Sequence, residues 1–136
     1  MILADVMGEL GDACDTITGL RVFRWPADDV PVPAVVVAFP EQIDYHVTKA
    51  RGVDRMSVPV VLAISRADER SAALNVSPYV SGSGSASIVA AIEAFAYTAC
   101  DFAVVKSCTF EPYTIASVEY LAAIFTVDVV GPGSTE

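Results

Sequence analysis

His46 is the only histidine in the 136-residue chain, so any catalytic arrangement built on an imidazole must use it. Such an arrangement needs a hydroxyl or thiol within hydrogen-bond reach of the ring and a carboxylate to orient it. Asp44 lies two positions earlier and Ser57 falls in the next predicted strand, but no GxSxG elbow surrounds any serine. A solvent-facing strand histidine fits the sequence better. Gly82-Ser83-Gly84-Ser85 precedes a predicted helix, where backbone N–H groups favour anions. The Walker lysine and the GxGxxG spacing are both missing, which leaves a helix-capping linker. Asp28 and Asp29 are adjacent carboxylates in a turn without further ligands, and Glu93 has no matching acid. Cys14, Cys100 and Cys108 are an odd count without CxxC spacing, so neither a disulfide framework nor a zinc site is expected. They read as small buried hydrophobes in a reducing cytoplasm. No catalytic residue, metal or cofactor is expected, and the chain is not expected to be an enzyme.

The cations form the remaining constellation. Lys49, Arg51 and Arg55 follow closely on Tyr45 and His46, with Arg66 and Arg70 further on. As a bland reading this is a solvated loop. As a functional one it is a basic arm in a chain with 8 basic and 17 acidic residues and a net charge of −9. Phosphate backbones repel such a surface, so binding of nucleic acid through positive charge is not expected. A basic arm meeting an acidic neighbour would give complementary, salt-sensitive contacts between copies, and a head-to-tail interface of that kind can close into a ring. Tyr45, His46, Lys49, Arg51 and Arg55 are therefore the candidate interface residues.

Hydrophobic residues make up 54% of the chain and charged residues 18%, apolar for a small soluble monomer and suggestive of an oligomer. No apolar run reaches the roughly 18 residues of a membrane span. The N-terminal MILADVMGEL lacks a basic n-region and is not expected to be a signal peptide. The length fits one domain over residues 1–136, with an arm at about 41–56 and a short C-terminal tail at 131–136.

The elements that must position the cations follow from hydrophobic period. Ile2, Leu3, Val6, Met7, Leu10, Cys14 and Ile17 recur at helical spacing, with Asp5, Glu9 and Asp12 turned away and Gly19 placed as a C-cap. Strands are expected over Leu20–Trp25 and Ala34–Phe39, joined as a hairpin through the proline-rich 26–33. Ile43, Tyr45 and Val47 alternate into the arm, whose tip falls near Lys49–Gly52. A strand follows over Met56–Ser65, with Pro59 suggesting an edge or a bulge. A helix is expected from Asp68, ended or kinked by Pro78. Another, capped by a serine of the 81–85 break, runs to about Thr98. Asp101–Phe110 reads as a strand with Phe102, Val104, Lys106, Cys108 and Phe110 on one parity, and Glu111-Pro112-Tyr113 as its turn. The closing strand, Ile115–Gly131, is apolar on both parities and needs cover on both faces; Asp128 is expected to reach solvent near its end. The sum is α+β, a mostly antiparallel sheet with helices gathered on one face.

The N-terminal helix, RVFRW…VPAVVVAFP, the arm ending in KARGVDRMSVPVVLAISRADER, and the terminal hairpin closing on YLAAIFTVDVVG together span nearly the whole chain. In order and spacing they resemble the tail terminator (tail completion) proteins of long-tailed bacteriophages, particularly actinobacterial siphophages. The resemblance implies an α/β-type fold with helices against one sheet, in a structural virion protein forming a homohexameric ring. That ring would cap the tail tube, end its polymerisation and join tail to head-proximal connector proteins, with DNA passing through the lumen without specific binding. It places the chain at the head-proximal end of the phage tail, in the host bacterial cytoplasm during assembly, with no membrane. Alternatives are another neck, head-tail joining or tail tube component, a small ligand-binding α+β domain, or a bacterial adaptor or toxin–antitoxin partner.

Overall fold

The described residues of the computed structural model are 2–17, 20–23, 34–45, 52–66, 72–115 and 118–132. Helix α1, Leu3–Asp15, forms because apolar residues at three- and four-residue intervals share one stripe. Val6, Met7, Leu10, Ala13 and Cys14 bury that stripe, and Thr16 ends the helix in place of the expected Gly19, which lies outside the described residues. Glu9 is not simply solvated. Its carboxylate accepts from the Thr98 N–H at 2.8 and 2.9 Å and from the Ala99 N–H, which pins α1 to the chain entering the last hairpin.

The strands are β1 (Arg21–Phe23), β2 (Ala34–Val37), β3 (Ile43–Asp44), β4 (Val53–Arg66), β5 (Phe102–Ile115) and β6 (Val118–Pro132). They make one six-stranded sheet in the order β1-β2-β4-β6-β5, with β3 added to β4. Every pairing is antiparallel except β1 with β2. The fold is α+β.

That parallel pairing overturns the expected β1–β2 hairpin: Arg21 lies opposite Ala34 and Phe23 opposite Val36, so both strands run the same way. A tight turn cannot return the chain parallel to itself. The connection through residues 24–33, with Pro26, Pro31 and Pro33, is no two-residue hairpin loop.

Strand β6 pairs with β4 along one edge from Val53 to Arg66, so β2 and β3 share the other edge, at Val60–Ala63 and Arg55–Met56. Pro59 falls between them. Its carbonyl accepts from the Ala38 N–H at 2.9 Å just past the end of β2. A strand residue's N and C=O point to the same side, so its missing donor faces the gap where one partner strand gives way to the next. The expected edge is therefore a local one inside a central strand.

Helices α2 (Ala72–Val80) and α3 (Ile88–Ala94) join α1 on one face. Asp68, the expected start of the first, lies outside the described residues; Pro78 sits in its last turn, and the helix ends at Val80. The cap of α3 is Ser87 and not a serine of the 81–85 break: its hydroxyl accepts from the Ala90 N–H at 3.1 Å and donates to the Ser81 carbonyl. The helix stops at Ala94, short of the expected Thr98. Phe95 turns extended, and the Tyr97 hydroxyl donates at 2.6 Å to the Ile92 carbonyl, satisfying a last-turn acceptor.

The core lies between the helices and alternate residues of the strands: Val35 and Val37 of β2, Val58, Val60 and Leu62 of β4, Phe125, Val127 and Val129 of β6. Among the described residues, the opposite face carries a second buried cluster of Ala34, Val36 and Ala63, flanked by Phe23 and Tyr120, with Val61 and Ala122 also buried there. Helix cover on one face is as expected.

In β5 the register to β6 shifts between Val105 and Ser107, so Lys106 is an extra residue. Residues before and after this bulge exchange parity. The single-parity reading of 102–110 thus fails: Ala103 belongs to the helix face before the bulge and Cys108 after it. The strand also runs through Glu111-Pro112-Tyr113, the expected turn, to Ile115. Pro112 pairs with Leu121, and β5 ends the sheet order, an edge position that tolerates proline.

Candidate functional site

Of the five residues singled out by the sequence, Tyr45 and Arg55 are described, while His46, Lys49 and Arg51 lie outside the described residues, as do Asp28 and Asp29. The two described ones are separated by the sheet. Strand pairing sets Ile43 opposite Met56 and Asp44 opposite Arg55. Alternation sends Met56 to the helix side and Arg55 to the open side. Tyr45 is 65% exposed and lines a cleft of about 210 Å³ with Leu3, Ile43, Asp54 and Met56 near the start of α1.

Arg55 forms the best-defined electrostatic contact on the open face. Its Nε donates to Asp128 Oδ1 at 2.8 Å and its NH2 nitrogen to Oδ2 at 2.6 Å, a two-pronged pair joining β4 to β6. Asp128 lies opposite Ser57, so the contact runs diagonally across the ladder. Asp128 is buried, its side chain 7% exposed against 47% for Arg55. This corrects the expectation that Asp128 reaches solvent: the strand continues to Pro132, and Arg55 covers the carboxylate. The hydrogen bonds from Arg55 hold the Asp128 carboxyl below its ordinary range, against the opposing effect of burial, with the charges of Arg55 and Lys106 adding. The same contact raises Arg55 above its ordinary value, with Asp44 contributing.

Beyond this pair the open face dips into a shallow groove of about 610 Å³. Ser57, Pro59, Ile124, Thr126 and Thr109 form its floor from three adjacent strands. Glu41, just before β3, and Asp44, in β3, stand on one side, and Glu111 on the other, on β5. Gln42 donates to Asp44 at 3.0 Å and holds that wall in place. The groove is therefore acidic at its rim and hydroxyl-rich at its base. Sequence reasoning missed it, because its residues come from separated segments and only the β4–β6–β5 order brings them together.

Among the described residues, no three or more His, Cys, Asp or Glu side chains converge as a metal site would require. Burial, with Asp15 adding, pushes the Cys14 thiol up to about 12. Burial likewise pushes Cys100 up to about 11, with Glu9 and Asp101 adding. Neither is a thiolate nucleophile at neutral pH. Glu93, without a role in the sequence, accepts from the Val105 N–H at 3.2 Å beside the β5 bulge. No helix among the described residues is long and apolar enough to cross a membrane.

No protein-family model matches the chain, and no curated protein matches it in sequence.

Proposed function

We propose that this chain is a structural, non-enzymatic subunit that assembles with copies of itself into a ring, in the manner of a phage tail terminator. In this reading the ring caps the tail tube, ends its growth and joins it to the head-proximal connector. The observation that carries the proposal is the one-sided sheet. The described helices α1, α2 and α3 cover one face, while the other presents an acid-rimmed groove that no described helix overlies. An apolar chain with such a face suits a subunit whose remaining cover comes from a neighbour. The net charge of −9 suits a lumen that DNA passes without sticking.

Purified tail tube subunits that polymerise alone provide the test. Substoichiometric addition of the protein should shorten the tubes and leave a ring at one end in negative-stain images. Tubes of unchanged length and uncapped ends would contradict the proposal. The groove also favours a second reading, a ligand-binding α+β domain, because about 610 Å³ lies within the roughly 300–1,000 Å³ of small-ligand pockets. That reading requires a monomer or dimer that a small molecule stabilises against heat.

A further inference from the structure

We infer that the free edge of β5 pairs, antiparallel, with β5 of a second copy of this chain, around Thr109. The contact is two-fold and closes at two copies. It does not depend on the ring reading above.

Backbone direction comes first. Strand β5 ends the sheet order, so one of its sides has no strand partner among the described residues. Successive residues of a strand turn their N–H and C=O groups to opposite sides. The Val105 N–H donates to Glu93 at 3.2 Å and therefore faces away from β6. The extra residue at Lys106 shifts the phase, so beyond the bulge Cys108, Phe110, Pro112 and Thr114 face outward. Pro59 gives the same answer by another route. Its carbonyl faces β2, which turns the odd residues of β6 toward β4. The even residues, opposite Thr109 and Glu111, then turn toward β5.

Two features bound the part of this edge that can accept a strand. Glu93 occupies the outward donor of Val105, and Pro112 has no N–H to offer. Between them lie the outward groups of Cys108 and Phe110, centred on Thr109. Lys106, Ser107, Thr109, Phe110 and Glu111 are all exposed, Phe110 by 54%.

That window is complementary to itself. With Thr109 opposite Thr109 of the second copy, Cys108 of each chain faces Phe110 of the other, and each such pair exchanges both of its hydrogen bonds. A two-fold axis normal to the sheet keeps the two open faces together. Lys106 and Glu111 are the only charged residues of β5, and they are opposite in sign. The pairing sets Ser107 opposite Glu111 of the second copy, with Lys106 in diagonal reach of that carboxylate. Lys106 stands toward the open face, where its charge helps to hold the Asp128 carboxyl down. Shifting the register by two residues loses hydrogen bonds to Pro112 on one side and to the bulge on the other. Hydrogen bonds, charge and the exposed Phe110 thus favour one partner, the same strand of another copy.

Thr109→Cys, in a full-length chain also carrying Cys108→Ser, tests the register. Opposed residues of a non-hydrogen-bonded antiparallel pair have Cα atoms about 4.5 Å apart, within disulfide range. Oxidised glutathione should link this variant into a dimer, and Ser107→Cys in the same background at least about tenfold more slowly. Sedimentation over a concentration series reads the affinity. Lys106→Glu and Glu111→Lys should each raise the dissociation constant about tenfold, since two ion pairs become repulsions. Both changes in one chain should restore it. Circular dichroism checks folding. Should a charge variant fail to fold, Phe110→Pro serves instead: it removes an outward donor, spares the bonds to β6 and should abolish the dimer. A monomer at every concentration, as expected were the edge reserved for a strand of another protein, would overturn the contact. So would equal linking at positions 107 and 109, single reversals that dimerise like wild type, or a loss that the double change does not restore. Tube capping tests the ring separately, so either reading can fail while the other stands.

Discussion

Arg55 and Asp128 carry the clearest residue-level consequence. Asp128 has its carboxyl held below the ordinary value of 3.8 by Arg55, so the folded state binds the proton less readily than the unfolded chain does. A depressed carboxylate contributes stability that is fully present above its unfolded value and is lost as pH falls through the folded one. Asp128→Asn should therefore lower the urea midpoint at pH 7, and the gap from wild type should close below about pH 3.8. A gap that persists unchanged to pH 2.5 would mean the pair does not act through charge. The cysteines make a second prediction at this scale. With Cys14 at about 12 and Cys100 at about 11, both should react with a disulfide reagent at pH 8 about a hundredfold or more slowly than a free thiol. Half-buried Cys108 should react first, and all three should react at once in denaturant. The type of Asp128 and of each cysteine was plain in the sequence. Their surroundings were not, because Arg55 lies 73 positions from Asp128 and only the β4–β6 register joins them.

At the scale of elements, the large periodic segments were legible and their ends were not. The long apolar run of β6, apolar on both parities, and the helical stripe of α1 stand out because their apolar residues are buried. The parallel β1–β2 pair, the bulge at Lys106 and the early stop of α3 did not stand out. Each is decided by contacts from elsewhere: a neighbouring strand, a register shift against β6, the Tyr97 hydroxyl on Ile92. Two substitutions test this division. Phe125 is fully buried between sheet and helices, and Phe125→Ala should cost about 3–5 kcal/mol in denaturant unfolding. Ser87→Ala removes the cap of α3 and should cost about 1 kcal/mol, with faster hydrogen exchange confined to the first turn of that helix. Equal exchange in wild type and variant would show that α3 is held by its core contacts alone.

At the scale of the whole molecule, composition pointed to an acidic, apolar chain, and the α+β class with helices on one face was legible from the order of elements. The groove was not: Glu41, Asp44 and Glu111 look like ordinary solvated residues until the sheet gathers them on one face. The ring remains a proposal about how that face is covered. It predicts an association whose strength depends on ionic strength, because cations of one copy meet carboxylates of the next. The deciding measurement is native mass spectrometry of the purified protein at low and high salt, with negative-stain images of the same samples. A ring-sized oligomer at low salt that dissociates as salt rises, up to a hexamer in the tail-terminator reading, is the expected result. A monomer at every salt and protein concentration that also leaves growing tubes uncapped would contradict it.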